Sequence, residues 1–260
     1  MTEVHYNRAP ILEAVIDIQV RFNPQSDPAA FLSTAQQMAQ RVAARFPQSL
    51  VLPLVNFGIG MVPPVPGTAA APMPQLVPRI THQGGLRLAT AQNERVLLLQ
   101  QRGLSFSHMP PYTRWKNFRD EAVELWRLFV SLTKPEAVTR TALRYINRFE
   151  IPHDIFELSD YFLFRPEVPE RNIPQMVSSF FMQCQMPQPD VGPDVTATIN
   201  LASAGRSPGS AQIILDFDVF AMGELSADSD AVIELLDRLR KRKNELFESC
   251  ITDQARELIK

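Results

Sequence analysis

The sequence predicts an α+β fold: largely antiparallel sheet, about eight or nine strands, with three long helices packed on it. Three observations predict it. Stretches of apolar–polar alternation follow one another with little but turn residues between them, the mark of half-buried antiparallel strands. Three stretches alone sustain helical spacing over several turns. The order strand, helix, strands, long helix occurs in 1–135 and again in 136–260, so a two-lobed pseudo-repeat within a single domain is expected, although no residue-level repeat accompanies it.

The first strand is ILEAVIDIQVRF, in which Leu12, Ala14, Ile16, Ile18, Val20 and Phe22 alternate without a break. SDPAAFLSTAQQMAQRVAARF follows, with Asp27 placed to cap and Pro28 at the first helical position. Phe31, Leu32, Ala35, Met38, Ala39, Val42, Ala43 and Phe46 form its apolar stripe. Met61–Pro78 is rich in proline and alanine and has no period, so it predicts a long extended loop; Pro63 to Pro66 resemble a polyproline ligand but read more simply as loop. From Arg79 to Ser107 a meander is punctuated by Gly84-Gly85, Gln92–Glu94 and Arg102-Gly103. A second helix spans about Tyr112–Leu132, burying Trp115, Phe118, Ala122, Leu125, Trp126 and Phe129 and stopping before Pro135. A strand through LRYINRFEIP starts near Thr139, and a short helical turn lies in DIFELSDYF. VSSFFMQCQM, VTATINLAS and AQIILDFDVF are three further strands. A last helix covers about Ser229–Ile259, its stripe interrupted at Arg240–Glu245.

At 260 residues and 45% apolar content the chain can bury a sizeable core. Its net charge of −2 supplies no global attraction to nucleic acid or anionic lipid. MTEVHYNRAP lacks the apolar core of a signal peptide, and no run approaches membrane-spanning length. Cys184 and Cys250 form no CxxC pair. A cytoplasmic protein with reduced thiols is expected.

Motifs of known chemistry fail on inspection. GRSPG, at 205–209, matches G-x-S-x-G, but it joins two strands and Pro208 has no N–H to offer an oxyanion. Gly58-Ile59-Gly60 lacks the third glycine of a dinucleotide loop. His5, His82, His108 and His153 are scattered, so neither zinc nor any other cofactor is expected. Cys184, on an apolar strand face with Phe180, Met182 and Met186, reads as a buried inert thiol. Arg238, Arg240, Lys241, Arg242 and Lys243 make a basic patch on the last helix. With no aromatics interleaved, it reads as a solvated stretch whose aliphatic stems cover the core edge, ahead of a phosphate or nucleic-acid site.

One polar constellation remains. In LRYINRFEIP, Arg144 and Arg148 share a strand face with Ile146 and are spaced about 13 Å apart, as are Glu13 and Asp17 on the first strand. Asp216 and Asp218 share a face of QIILDFDVF. If the strands pair, Glu13, Asp17, Asp216 and Asp218 meet Arg144 and Arg148 in a cross-strand ion-pair ladder. The competing reading gathers the four carboxylates around a divalent metal for phosphoryl chemistry, but interleaved arginines would neutralise such a cluster. Asn147, on the apolar face, must satisfy its amide once buried and is expected to bond a loop or helix-end backbone.

APILEAVIDIQVRF, LRYINRFEIP and LFESCITDQAREL resemble the hallmark segments of an uncharacterised protein family of similar length, sporadically distributed among bacteria and archaea. The resemblance spans nearly the whole chain, with Phe149 where that family more often has isoleucine. It implies one unit and no established activity. Patchy distribution suggests an accessory setting such as defence or toxin–antitoxin loci. The functional expectation is therefore a non-catalytic protein whose partner is another protein or a second copy of itself, with no membrane role. A metal-dependent enzyme acting on nucleotides or nucleic acid is the alternative, and nucleic-acid binding through the last helix a weaker one.

Overall fold

A computed structural model of the protein describes residues 6–23, 28–62, 73–112, 114–169, 172–228 and 230–260. The N-terminal half contains β1 (Ile11–Arg21), α1 (Pro28–Val42), β2 (Gln48–Val62), β3 (Met73–Ala89), β4 (Arg95–Gln100), β5 (Gly103–His108) and α2 (Trp115–Thr133). The C-terminal half contains β6 (Ala137–Ile151), α3 (Leu158–Tyr161), β7 (Phe181–Pro187), β8 (Val195–Ser207), β9 (Ser210–Leu225), α4 (Ala231–Cys250) and α5 (Asp253–Glu257). The strands form one sheet in the order β2-β3-β4-β5-β1-β6-β9-β8-β7. Every neighbouring pair is antiparallel. The α+β class is as the alternating pattern predicts.

Each half has the same internal topology. Its first strand, β1 or β6, lies at the centre of the sheet beside the last strand of that half, β5 or β9, and the others step outward from there. The N-terminal half has one strand more, with β2 paired outside β3. At the seam β1 pairs β6, with Asp17 opposite Ala142 and Val15 opposite Arg144.

Strand alternation determines the two faces. Ala14, Ile16, Ile18 and Val20 of β1, Leu143 and Tyr145 of β6, and Phe217 and Val219 of β9 are buried. The apolar stripes of α1, α2 and α4 cover that face: Ala35, Met38 and Val42; Phe118, Ala122, Leu125, Trp126 and Phe129; Val232, Leu235, Leu236 and Leu239. A second cluster, in the C-terminal half, gathers Phe149, Ile151, Ile199, Leu201, Leu215 and Phe217 against Phe162, Phe247, Ile251 and Ala255. The buried residues of the helices thus meet one side of the sheet. α2 and α4 also touch each other, Trp115 Nε1 and Arg119 Nη1 both donating to the Asp237 carboxylate at 2.8 Å.

Several local expectations need correction. Residues 61–62 and 73–78 are strand, not loop, because the β2–β3 pairing continues to Val62 and Met73; Pro63–Pro66 and the cap at Asp27 lie outside the described residues. Gly84-Gly85 makes no turn and sits within β3. At Gly85 (φ +156) a Cβ would lie 2.1 Å from the Leu99 carbonyl oxygen, so glycine there permits close approach of β4. The final helix is two. Ile251 turns extended and bridges Phe162, and Thr252 Oγ1 then accepts from Ala255 N to start α5. The GRSPG stretch is a hairpin connection as expected, turning at Pro208-Gly209 between Ser207 and Ser210 with Gly209 at φ +76.

Candidate functional site

The sheet face away from the helices collects the carboxylates and strand arginines that the sequence singles out. Cross-strand pairing builds it in rows. One row runs Ser107, Val15, Arg144, Asp218, Thr198, Gln185 from β5 to β7. The next runs Glu13, Ile146, Asp216, Asn200, Gln183. Strand neighbours stand close enough for long side chains to bridge both within and between rows.

Two hydrogen-bonded chains result. In the first, Ser105 Oγ donates to Asp17, and Arg140 donates from Nη1 to Asp17 Oδ2 and from Nη2 to Asp218 Oδ2, each at 2.8 Å. The Arg140 guanidinium also lies over the Phe220 ring, 4.6 Å from its centroid. In the second, Arg144 grips Asp216 with two bonds, Nε at 2.9 Å and Nη2 at 2.7 Å. Asn200 donates to Asp216 Oδ2 at 2.9 Å and accepts from Gln183 Nε2 at 2.7 Å. The first chain joins the two halves across the seam; the second carries the network out to β7.

The expected ladder is therefore present with different rungs. Asp17 pairs Arg140, a residue outside the anticipated set, because the β1–β6 register puts Asp17 opposite Ala142 and so within reach of the arginine two positions before it. Glu13 faces Ile146 and acts on Arg144 through its charge rather than by contact. Arg148 is displaced from the network and approaches Glu150 of its own strand at 3.9 Å. The four-residue spacing of Arg140, Arg144 and Arg148 is the sequence signal that would have found the missing member.

Burial and charge set the properties of these groups. The Asp216 side chain is 5% exposed, whereas that of Arg144 is 47% exposed, so the guanidinium presents its free edge to solvent. Hydrogen bonding to Asp216 raises the Arg144 pKa above its ordinary value. Burial holds the Asp218 carboxyl above the usual carboxylate range against the pull of Arg140 and Arg144. Beside the network is a depression of about 300 Å³ lined by Arg144, Gln183, Gln185, Thr198, Asn200 and Asp218. It is rich in amide and hydroxyl groups, which donate and accept hydrogen bonds without performing acid–base work. Among the described residues no three His, Cys, Asp or Glu side chains come together as a metal site.

Two other anticipated features are rearranged. Asn147 is buried and donates from Nδ2 to the Leu215 carbonyl at 3.0 Å, a strand partner in β9 rather than a loop or helix end. The basic segment of α4 is not one solvated patch. Arg238 and Lys241 are exposed, Arg242 is held by Asp190 and Glu245, and Arg240 lies over Trp115. Lys243 is buried, its Nζ 4.1 Å from the Tyr145 ring centroid. Burial, with repulsion from Arg240, pushes its pKa down to about 7. It occupies a core position of the stripe, which is why the apolar pattern breaks there. Cys184 is half-exposed rather than buried, because β7 is at the sheet edge; Cys250 is the buried thiol.

No family model matches the chain, and no curated protein sequence matches it. No helix among the described residues is long and apolar enough to cross a membrane.

Proposed function

We propose that this protein works without catalysis, by binding another protein through the helix-free face of its sheet. The observation that carries this reading is the network across that face. Asp17, Asp216 and Asp218 each accept hydrogen bonds from an arginine, so these carboxylates are committed to orienting guanidiniums rather than poised as bases or ligands. What faces outward is the free edge of Arg144 with Gln185 and Thr198 around the depression, flanked by half-buried Val15, Ile146 and Ile214. Fixed hydrogen-bonding groups beside modest apolar area are the composition of a protein-recognition surface. Membership of the sporadically distributed family, carried by the three segments quoted above, belongs to the same proposal, and so does an accessory role in the cytoplasm.

The test compares three tagged proteins expressed in the native host: the wild type, Arg144→Glu with Thr198→Arg on the open face, and Lys241→Glu on α4. Co-purifying proteins are quantified by mass spectrometry. A partner retained by the wild type and the helix variant, and lost by the face variant, is the expected result. Equal recovery with all three would remove the open face from the interaction. Loss with the Lys241 variant alone would move it to the basic segment.

A further inference from the structure

The C-terminal edge of the sheet ends on β7, whose sequence is Phe181-Met182-Gln183-Cys184-Gln185-Met186-Pro187. From Met182 to Met186 it reads the same in both directions. It carries no charge, and Phe181 is 69% exposed. Edge strands that remain alone are ordinarily guarded by lysines, prolines, inward charges or bulges, and β7 has only a proline at its last position, Pro187. In the N-terminal half the equivalent strand, β3, has its outer edge taken by β2. On the outer side of β7 that place has no counterpart among the described residues.

We propose that β7 pairs antiparallel with β7 of a second copy of this chain, joining two nine-stranded sheets into one about a two-fold axis at Cys184. The hydrogen-bond phase of the strand fits this. Ser203 N donates to Phe180 O, and Gln188 N donates to Val195 O, so the even-numbered positions of this stretch direct their main-chain groups toward β8. Phe181, Gln183 and Gln185 therefore direct theirs outward. With Cys184 opposite the partner's Cys184, Gln183 meets the partner's Gln185 as a hydrogen-bonded pair, and each donates its N–H to the other. Phe181 N–H meets the Pro187 carbonyl, which needs no donor from proline. Met182 opposes Met186. Identical residue types face each other at every position of the palindrome, the condition of an isologous interface. The sequence symmetry has this use for a second copy and none for an unrelated strand.

The pairing has a chemical signature. Cys184 occupies a non-hydrogen-bonded position, where opposed Cα atoms approach to about 4.5 Å, inside the range of about 4.4–6.8 Å that a disulfide spans. Diamide would take up the two electrons and two protons released as the opposed thiols form an S–S bond. Buried Cys250 serves as the internal control.

Sedimentation equilibrium and diamide crosslinking on the full chain test the proposal. The wild type is expected at twice its 29.3 kDa chain mass at micromolar concentration. Diamide should give a reducible dimer in the wild type and in Cys250→Ser, and background levels in Cys184→Ser. A Gln183→Lys/Gln185→Lys variant sets like charges against each other across the two-fold and should sediment as a monomer with an unchanged circular dichroism spectrum. A monomeric wild type, a crosslink that requires Cys250, or a dimer that survives the double lysine variant would each overturn it. Any of these would leave the open-face binding reading standing, because that face is complete in one copy.

Discussion

The two halves of the molecule share one topology and differ at the surface. In the N-terminal half the open face carries small and apolar groups, with Leu98 and Ser105 in β4 and β5, and the outer edge is extended by β2. In the C-terminal half the same face carries Arg140, Arg144, Asp216, Asp218, Asn200 and Gln183 in continuous hydrogen-bonded chains, and among the described residues the sheet ends at an uncharged strand. A common architecture thus has one half whose sheet gains an extra outer strand and one that links its polar side chains in continuous chains beside an edge strand with no outer neighbour among the described residues. Fold and site are separable properties: the buried alternation makes both halves alike, and the outward positions make them different.

The largest expected effect tests whether the halves are one cooperative unit. Phe149 lies in the C-terminal core, 5.3 Å from the Phe162 ring and 6.2 Å from Phe247. Phe149→Ala should cost about 3–5 kcal/mol. Both tryptophans, Trp115 and Trp126, are in α2 of the N-terminal half. If the sheet unfolds as a whole, tryptophan fluorescence and far-ultraviolet circular dichroism will shift to the same lower urea midpoint. A fluorescence midpoint left in place would show that the halves unfold separately.

The polar faces should respond unequally. Asp216→Ala strands Arg144 and Asn200, and because Arg144 is half-exposed it rehydrates in part; a loss of about 1–3 kcal/mol follows. Ser105→Ala, the N-terminal counterpart, removes a single hydrogen bond to Asp17 and should cost about 0.5–1 kcal/mol. Urea melts of the two variants measure the difference. Equal losses would mean that the C-terminal network adds nothing beyond isolated bonds. Saturable Mg²⁺ binding by the wild type that vanishes in a fully stable Asp216→Ala variant would instead favour the metal-enzyme reading.

The class of fold was legible because one face of the sheet is buried, which forces period-two alternation such as Ala14, Ile16, Ile18, Val20. The site was legible as residue types and not as pairs. Register depends on where strands slip, and β1 carries irregularities against β6 between Ile11 and Glu13 and between Gln19 and Val20, which no local pattern announces. Arg140 was legible as one step of the four-residue arginine spacing, but that it rather than Arg148 meets Asp17 follows only from the register that sets Asp17 opposite Ala142. Lys243 shows the complementary limit. Its place in the helical stripe is readable, but the aromatic ring that receives it belongs to β6, a hundred residues earlier in the chain by order of magnitude.

Lys243 gives the next prediction, a gain. It lies between the two cores, against Tyr145 of one and Phe247 of the other. Its folded pKa of about 7 is below the ordinary 10.5, so the unfolded chain holds the proton more tightly. The resulting penalty is full below about pH 7 and disappears as pH rises toward 10.5. Lys243→Met should stabilise the protein by about 1–2 kcal/mol at pH 6, the cation–π contact with Tyr145 offsetting part of the gain. The advantage should shrink between pH 7 and pH 10. Melts of both proteins at pH 6, 8 and 10 check the sign, and a gain that grows with pH would mean that the folded protein holds this proton more tightly than the unfolded chain, contradicting a lysine whose pKa burial has lowered.

The smallest effect concerns how each half ends its long helix. In the C-terminal half α4 stops when Ile251 turns extended and is held by Phe162, so a strand-like bridge does the work. In the N-terminal half α2 stops on Lys134, which adopts the left-handed conformation at φ 47, ψ 60 and donates its N–H to the Val130 carbonyl. That geometry suits glycine, and a Cβ there is strained against its own backbone. Lys134 is exposed, so replacing it disturbs no packing. Relief of the strain exceeds the extra freedom that glycine gives the unfolded chain, and Lys134→Gly should raise stability by about 0.5 kcal/mol. Lys134→Ala keeps the Cβ and should show no gain. If alanine stabilises as much as glycine, side-chain charge rather than backbone strain governs this helix end, and the contrast between the two terminations would be one of chemistry instead of conformation.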